Sequence, residues 1–310
     1  MRIHRRPLVS LVLAAVSLAA PAFAGGPETG SLLIFPEFDN RTSQRTLLTI
    51  TNTASSSIRV HLNLVNATNC LVSNRTITLT PRDTYTAVTS FLAGTGQRGY
   101  VYAFAQSMTT GRAIDFDKLA GSALRIDGTE GVSYSAPPFV FRALTGEGNN
   151  TDLDGDFKID LDGAEYERSP SKICIPRFFG QAGDPLPPDA FASDLILFQP
   201  FGGPGVTTLA GLLVYNDNEE VFSSQLSFVC WKRQRLLSIS GVFSRSFLKS
   251  TAHAAGEVAG QTGLESGWFE VRGENATGPA NQSNNAPPIL GLLIDLRPNT
   301  GADLPFLERP

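Results

Sequence analysis

Ser31-Leu32-Leu33-Ile34-Phe35-Pro36-Glu37-Phe38 is the stretch on which the reading of this chain turns, because it has a counterpart in Asp194-Leu195-Ile196-Leu197-Phe198-Gln199-Pro200-Phe201. After each comes a short polar or Gly-rich turn and then an apolar strand ending in Asn: Leu47-Leu48-Thr49-Ile50-Thr51-Asn52 and Leu212-Leu213-Val214-Tyr215-Asn216. A third strand with period-two alternation follows, through Ile58, Val60, Leu62 and Leu64 in one half and Phe222, Leu226, Phe228 and Cys230 in the other. Three elements in one order at a nearly constant offset indicate an internal duplication.

Working outward, the same alternation marks further strands from Thr76 to Leu79, Tyr85 to Ser90, Leu124 to Asp127, Leu236 to Phe243, Gly267 to Arg272 and Ile289 to Leu296. Tyr100 to Ala105 is apolar on both faces, so it belongs in the centre of a sheet covered on both sides. Only Thr251 to Ala259 and Ala164 to Arg168 have a helical pattern. Short strands at about ten-residue spacing predict an all-β fold of two tandem antiparallel β-sandwich domains, Ig-like or jelly-roll-like. The boundaries fall at residues 25–145 and 193–298, with an acidic linker over 146–192 and a tail over 299–310.

Composition narrows the class. The 310 residues include 29 Gly, 20 Pro and 20 Phe but only 17% charged side chains, which excludes disordered and collagenous chains. A net charge of −4 argues against a nucleic-acid surface. Residues 1–24 read as a secretory signal peptide: Arg2, Arg5 and Arg6 precede an apolar run from Leu8 to Ala20, and Pro21-Ala22-Phe23-Ala24 supplies a small-residue cleavage site. That run is too short for a retained span, so the mature chain is expected to start at Gly25, with 22 basic against 29 acidic residues. The expected location is secreted, periplasmic or cell-surface. Cys70, Cys174 and Cys230 are an odd number for an oxidising compartment. A Cys70–Cys230 bridge between halves, a Cys174–Cys230 bridge and three reduced buried thiols all remain open.

The most specific motif is Asn150-Thr151-Asp152-Leu153-Asp154-Gly155-Asp156-Phe157-Lys158-Ile159-Asp160-Leu161-Asp162-Gly163. Alternate oxygen ligands with a Gly at the sixth place suit Ca²⁺, which needs six to eight oxygens on a backbone able to curl around it. The stretch resembles the calcium loops of EF-hand and dockerin modules and the Asp-rich repeats of thrombospondin type 3. That resemblance implies calcium as a cofactor, held by Asn150, Asp152, Asp154, Asp156, Asp160 and Asp162. The twelfth place, where EF-hands carry a bidentate acid, is Leu161, so the implied site is a helix-poor loop. Seven carboxylates between Asp152 and Glu167, offset by one Lys, repel one another enough to favour a bound cation; the plainer reading is a solvated acidic linker.

Signatures of catalysis are sparse. His61 and His253 stand apart from any metal-ligand spacing, and no nucleophile elbow or P-loop is present. Gly94-Thr95-Gly96-Gln97-Arg98-Gly99 matches a dinucleotide-binding pattern by letter, but it leads into a strand and reads as a hairpin turn. Glu265 and Glu270 bracket Trp268, which allows a ligand surface of carbohydrate-binding or glycoside-cleaving kind, or an ordinary hairpin with a core Trp. The opening strand and Tyr215 to Ser224 resemble stretches of secreted bacterial β-rich proteins of unassigned activity. The expectation is an exported, non-catalytic interaction or structural protein stabilised by calcium, with an extracellular protein or glycan as partner. The contrasting expectation is a carbohydrate-active protein.

Overall fold

The alternating pattern gives strands almost throughout the computed structural model, which describes residues 28–129, 131–144, 159–161, 163–180, 192–216, 219–248, 265–277, 283–284, 286–297 and 300–304. The first half runs β1 (Leu32–Asp39), β2 (Gln44–Asn52), β3 (Ile58–Asn66), β4 (Val72–Leu79), β5 (Thr84–Val88), a helical turn α1 (Ser90–Ala93), β6 (Arg98–Gln106), β7 (Leu119–Asp127) and β8 (Val132–Ala136). Short strands follow: β9 (Phe139–Phe141), β10 (Ala143–Leu144), β11 (Ile159–Leu161) and β12 (Ala164–Tyr166). The second half is β13 (Lys172–Phe179), β14 (Ala192–Phe198), β15 (Thr207–Tyr215), β16 (Val221–Val229), β17 (Trp231–Arg235), α2 (Leu236–Ile239), β18 (Ser266–Thr277), β19 (Ser283–Asn284), β20 (Leu290–Arg297) and β21 (Thr300–Leu304). Two local expectations are corrected: Leu236 opens a helical turn rather than a strand, and Ala164–Tyr166 is a strand paired with β11 rather than a helix.

The strands form five small sheets, ordered β5-β2-β7-β8, β4-β3-β6-β1-β9, β10-β12-β11, β17-β14-β20-β21 and β13-β18-β15-β16, with β19 added to β18. The expected two tandem β-sandwich domains are therefore corrected to one body of five small sheets, as many as a five-bladed β-propeller has blades. Within each sheet the strands are not in sequential order.

The physical reason lies in which faces are apolar. One core takes Leu33, Phe35, Leu48, Leu62 and Val101 of the first half, and another takes Ile173, Leu195, Leu212, Phe269 and Leu293 of the second. A third, central core draws on both halves and the three-stranded sheet: Leu32, Ile34, Tyr100, Tyr166, Ile196, Phe198, Trp231 and Leu292. β1 and β14 each feed one core with alternate residues and the central core with the others, so Leu32 to Phe35 and Leu195 to Phe198 have no exposed face. Burying a Leu, Ile or Phe side chain contributes roughly 1.5–3 kcal/mol. A half separated from its partner would expose a whole face of such residues, so neither closes by itself.

The pairing is also repeat-like. Strand for strand, β13-β18-β15-β16 follows β1-β6-β3-β4, and β17-β14-β20-β21 follows β5-β2-β7-β8. β1 and β13 each break register around a proline, between Phe35 and Phe38 and between Ile175 and Phe178. Proline has no N–H for a ladder, so a bulge is where it fits. Beyond each bulge the Phe faces a glycine, Gly99 or Gly267. A Cβ there would lie 1.9 Å from the Val65 carbonyl oxygen or 2.4 Å from that of Tyr215, so only glycine lets the neighbouring strand close in. The sequence match of β1 with β14, β2 with β15 and β3 with β16 is thus one strand out of step. β1 and β14 look alike because both are covered on both faces.

Candidate functional site

The proline bulge of β1 positions the charges of a cleft between the halves. Register slips at Phe35–Phe38, sending both rings into the first core while the following acids, Glu37 and Asp39, are also buried. Charges so placed need partners, since an unpaired buried carboxylate is costly. Glu37 Oε1 accepts from Arg233 Nη1 at 2.8 Å, and Glu37 Oε2 accepts from the Tyr134 hydroxyl. Asp39 accepts from Arg41 through Nε at 3.0 Å and Nη2 at 2.6 Å, and from Arg125 Nη2 at 3.1 Å. Arg233 Nε and Arg235 Nε close the ring on Asp194, at 2.9 and 2.6 Å.

These contacts set the protonation states. Burial alone would raise the Asp39 carboxyl, but the hydrogen bonds from Arg41 and the Arg125 charge outweigh it and hold its pKa below the ordinary value. For Arg233, burial pulls the pKa down and the Glu37 and Asp194 charges more than reverse this, leaving it above the usual range. Burial and the Glu37 charge push the Tyr134 hydroxyl well up, so it stays a donor. Arg98 differs. Its guanidinium lies 5.6 Å over the Trp231 ring, and burial together with the Arg41 charge lowers its pKa. Among the described residues no carboxylate forms an ion pair with it.

Together Arg41, Arg98, Arg125, Asp127, Asp194, Arg233 and Arg235 line a cleft of about 500 Å³. Among the described residues, counting Glu37 and Asp39 beneath it, five guanidiniums face four carboxylates, a surplus of one positive charge. The halves are tied beside it. Cys70 and Cys230 form a disulfide across 160 residues with Cα atoms 5.9 Å apart, and Cys174 lies in β13 outside that bridge. The two cysteines do not follow corresponding strands, since Cys70 comes after β3 and Cys230 after β16. Trp231 Nε1 donates to the Pro36 carbonyl at 2.7 Å, and Tyr100 stacks on Phe198 at 4.9 Å.

The sequence-derived candidates lie elsewhere. Asn150, Asp152, Asp154, Asp156 and Asp162 fall outside the described residues. Asp160 sits in β11 opposite Glu165. Trp268 stacks on Tyr215 at 4.1 Å with the rings 5° from parallel. Two residues on, Glu270 is clamped by Lys172 and Arg272, each at 2.6 Å. Burial would raise its carboxyl, but those hydrogen bonds prevail and hold its pKa low, the opposite of what a general acid requires. Glu265 precedes β18, where its backbone carbonyl accepts from Gly180 N. Asn40, in a glycosylation sequon, is buried and hydrogen-bonded to Thr89 and Gly94.

No family model matches this chain, and no curated protein or solved structure is significantly similar to it. Sequence reasoning missed the cleft because its arginines come from Arg41 to Arg235 with no local motif. One signal was available. Leu119, Gly121 and Ala123 set the inward phase of β7, and Arg125 falls on that same face.

Proposed function

We propose that this is an exported, non-catalytic interaction protein that binds its partner in the cleft between the halves. The observation that carries this reading is the joining of the halves by the Cys70–Cys230 disulfide beside a preformed, arginine-lined cleft. A structural disulfide belongs to an oxidising compartment, in agreement with the signal-like residues 1–24. The acids Glu37, Asp39 and Asp194 are each engaged by guanidiniums, which suits a rigid binding frame better than proton transfer. The matching strand order of the two halves supports an origin by internal duplication. The Asp-rich stretch 150–162 is proposed to take Ca²⁺ and stiffen the connection between β10 and β11.

The test is to express the full chain in a bacterium, fractionate the cells, and determine the N-terminus and thiol count of the product. A periplasmic or secreted chain starting at Gly25 with one disulfide is expected; a cytoplasmic chain with three reduced thiols would overturn the reading. A second reading, carbohydrate binding at the outer face of β18, draws on the Trp268–Tyr215 stack. A glycan array with wild type and Trp268→Ala separates it from cleft binding.

A further inference from the structure

The ion pairs leave several groups in the cleft unaccounted for. Among the described residues, three polar atoms buried in its wall have no hydrogen-bond partner: the acceptors Gln44 Oε1 and Gln234 Oε1, and the donor Arg125 Nε, whose only contact is the 3.7 Å ion pair with Glu37. They are three of only six such side-chain atoms among the described residues, so the deficit is concentrated here. Arg98 adds a guanidinium that no carboxylate among the described residues meets. A ligand suited to this wall would bring one negative charge, an acceptor for a guanidinium donor, and donors for two amide oxygens.

We propose that the cleft binds a small hydroxylated monocarboxylate of the sugar-acid class, its carboxylate meeting Arg98 and its hydroxyls donating to Gln44 and Gln234. The inference rests on the reading of the cleft as a binding site. Charge selects the carboxylate: one negative charge cancels the surplus, whereas a phosphate dianion would overshoot it beside Asp127 and Asp194. Shape agrees, because the planar guanidinium fork matches a carboxylate through two parallel hydrogen bonds. The orphan amide oxygens select hydroxyls over an apolar body, since they can only accept. They are buried under the cleft wall, with the Gln44 amide nitrogen held by Asp127 and Thr129 and that of Gln234 by the Ser238 carbonyl, so ligand binding requires both side chains to turn. The volume, about 500 Å³, suits a ligand of this size, as small-molecule sites span roughly 300–1,000 Å³.

Calorimetric titration of the mature protein with glucuronate, glucose, acetate and glucose 6-phosphate tests this. Glucuronate is expected to bind at one site per chain, with each of the other three at least about tenfold weaker. Arg98→Gln should weaken glucuronate about tenfold or more, Arg98→Lys less, and Gln234→Met should weaken glucuronate while leaving acetate unchanged. Thermal midpoints of the unliganded variants report whether they fold, and Gln234→Met serves if Arg98→Gln does not. Equal binding of acetate would reduce the site to a bare-anion site and overturn the proposal, as would tighter binding of glucose 6-phosphate. Silence from a protein that is exported with its disulfide formed would overturn the ligand while leaving the interaction protein standing; retention in the cytoplasm would sink that broader reading instead.

Discussion

The two halves place an ion pair at the same point of the same strand order, with the charges exchanged. In the first half Glu37, in the proline bulge of β1, lies 3.7 Å from Arg125 of β7. In the second, Arg177 in the bulge of β13 meets Asp295 of β20 at 2.8 Å. Register supports the equivalence: Arg125 faces Thr46 and Asp295 faces Ser193, with Gly121 and Gly291 four residues earlier in each strand. The settings differ. The Arg125 side chain is 2% exposed and belongs to the network under the cleft, whereas Arg177 is 46% exposed and stands at the rim of its sheet. A duplicated frame thus holds a polar pair of either sign, and the neighbouring half decides whether the arginine of that pair stays half-exposed or becomes part of the floor of a site.

The comparison breaks most severely if the halves are untied. Replacing Cys70 and Cys230 together by Ser removes a link spanning 160 residues. A loop of that size is expected to contribute about 4–5 kcal/mol, read from urea unfolding of the oxidised wild type and the variant. A cost below about 1 kcal/mol would mean that the disulfide adds nothing to the packed central core.

Arg125→Met against Arg177→Met comes next. The first leaves Asp39 and Glu37 buried with a partner missing and should cost about 3–5 kcal/mol. The second removes a half-exposed arginine from a buried aspartate that keeps its Ser193 hydrogen bond and should cost less, about 1–2 kcal/mol. Equal costs would show that burial does not distinguish the two pairs.

Acid sharpens the contrast because the two aspartates are shifted in opposite directions. Asp39 is held below the ordinary carboxylate value, about 3.9, so its stabilisation is present above that pH and is lost as pH falls through its own lower pKa. Asp295 is raised, since burial prevails over the Ser193 hydrogen bond and the Arg177 charge; the ionised group therefore weakens the fold as pH rises through its pKa. Between pH 7 and pH 3 the cost of Asp39→Asn should fall and that of Asp295→Asn should rise, as read from urea unfolding at the two pH values. Parallel pH slopes would contradict the assignment.

How much of this was legible in the sequence follows from the same residues. The β class and the two-sided burial of Tyr100 to Ala105 were readable, because alternation and unbroken apolar runs report directly on which faces are covered. The true correspondence was obscured. Leu33 to Phe38 matches Ile173 to Phe178 around a shared proline, but Glu37 faces Arg177 in that alignment and Arg125 faces Asp295, so charge similarity pointed away from it. The stronger apolar likeness of β1 to β14 reflects shared burial in the central core. The cleft was illegible for a related reason. Its arginines are brought together by strand pairing across nearly the whole described chain, a juxtaposition that no short window contains.

The two tryptophans allow the most direct test of the claim that the interface between the halves is the binding site. Trp231 lies under Arg98, and Trp268 is on the outer face of β18 against Tyr215. In a fluorescence titration of the Trp268→Phe variant with glucuronate, the account predicts a saturable one-site change in Trp231 emission that Arg98→Gln abolishes. Emission that stays constant in Trp268→Phe while wild type responds would place the ligand on the outer face and contradict it.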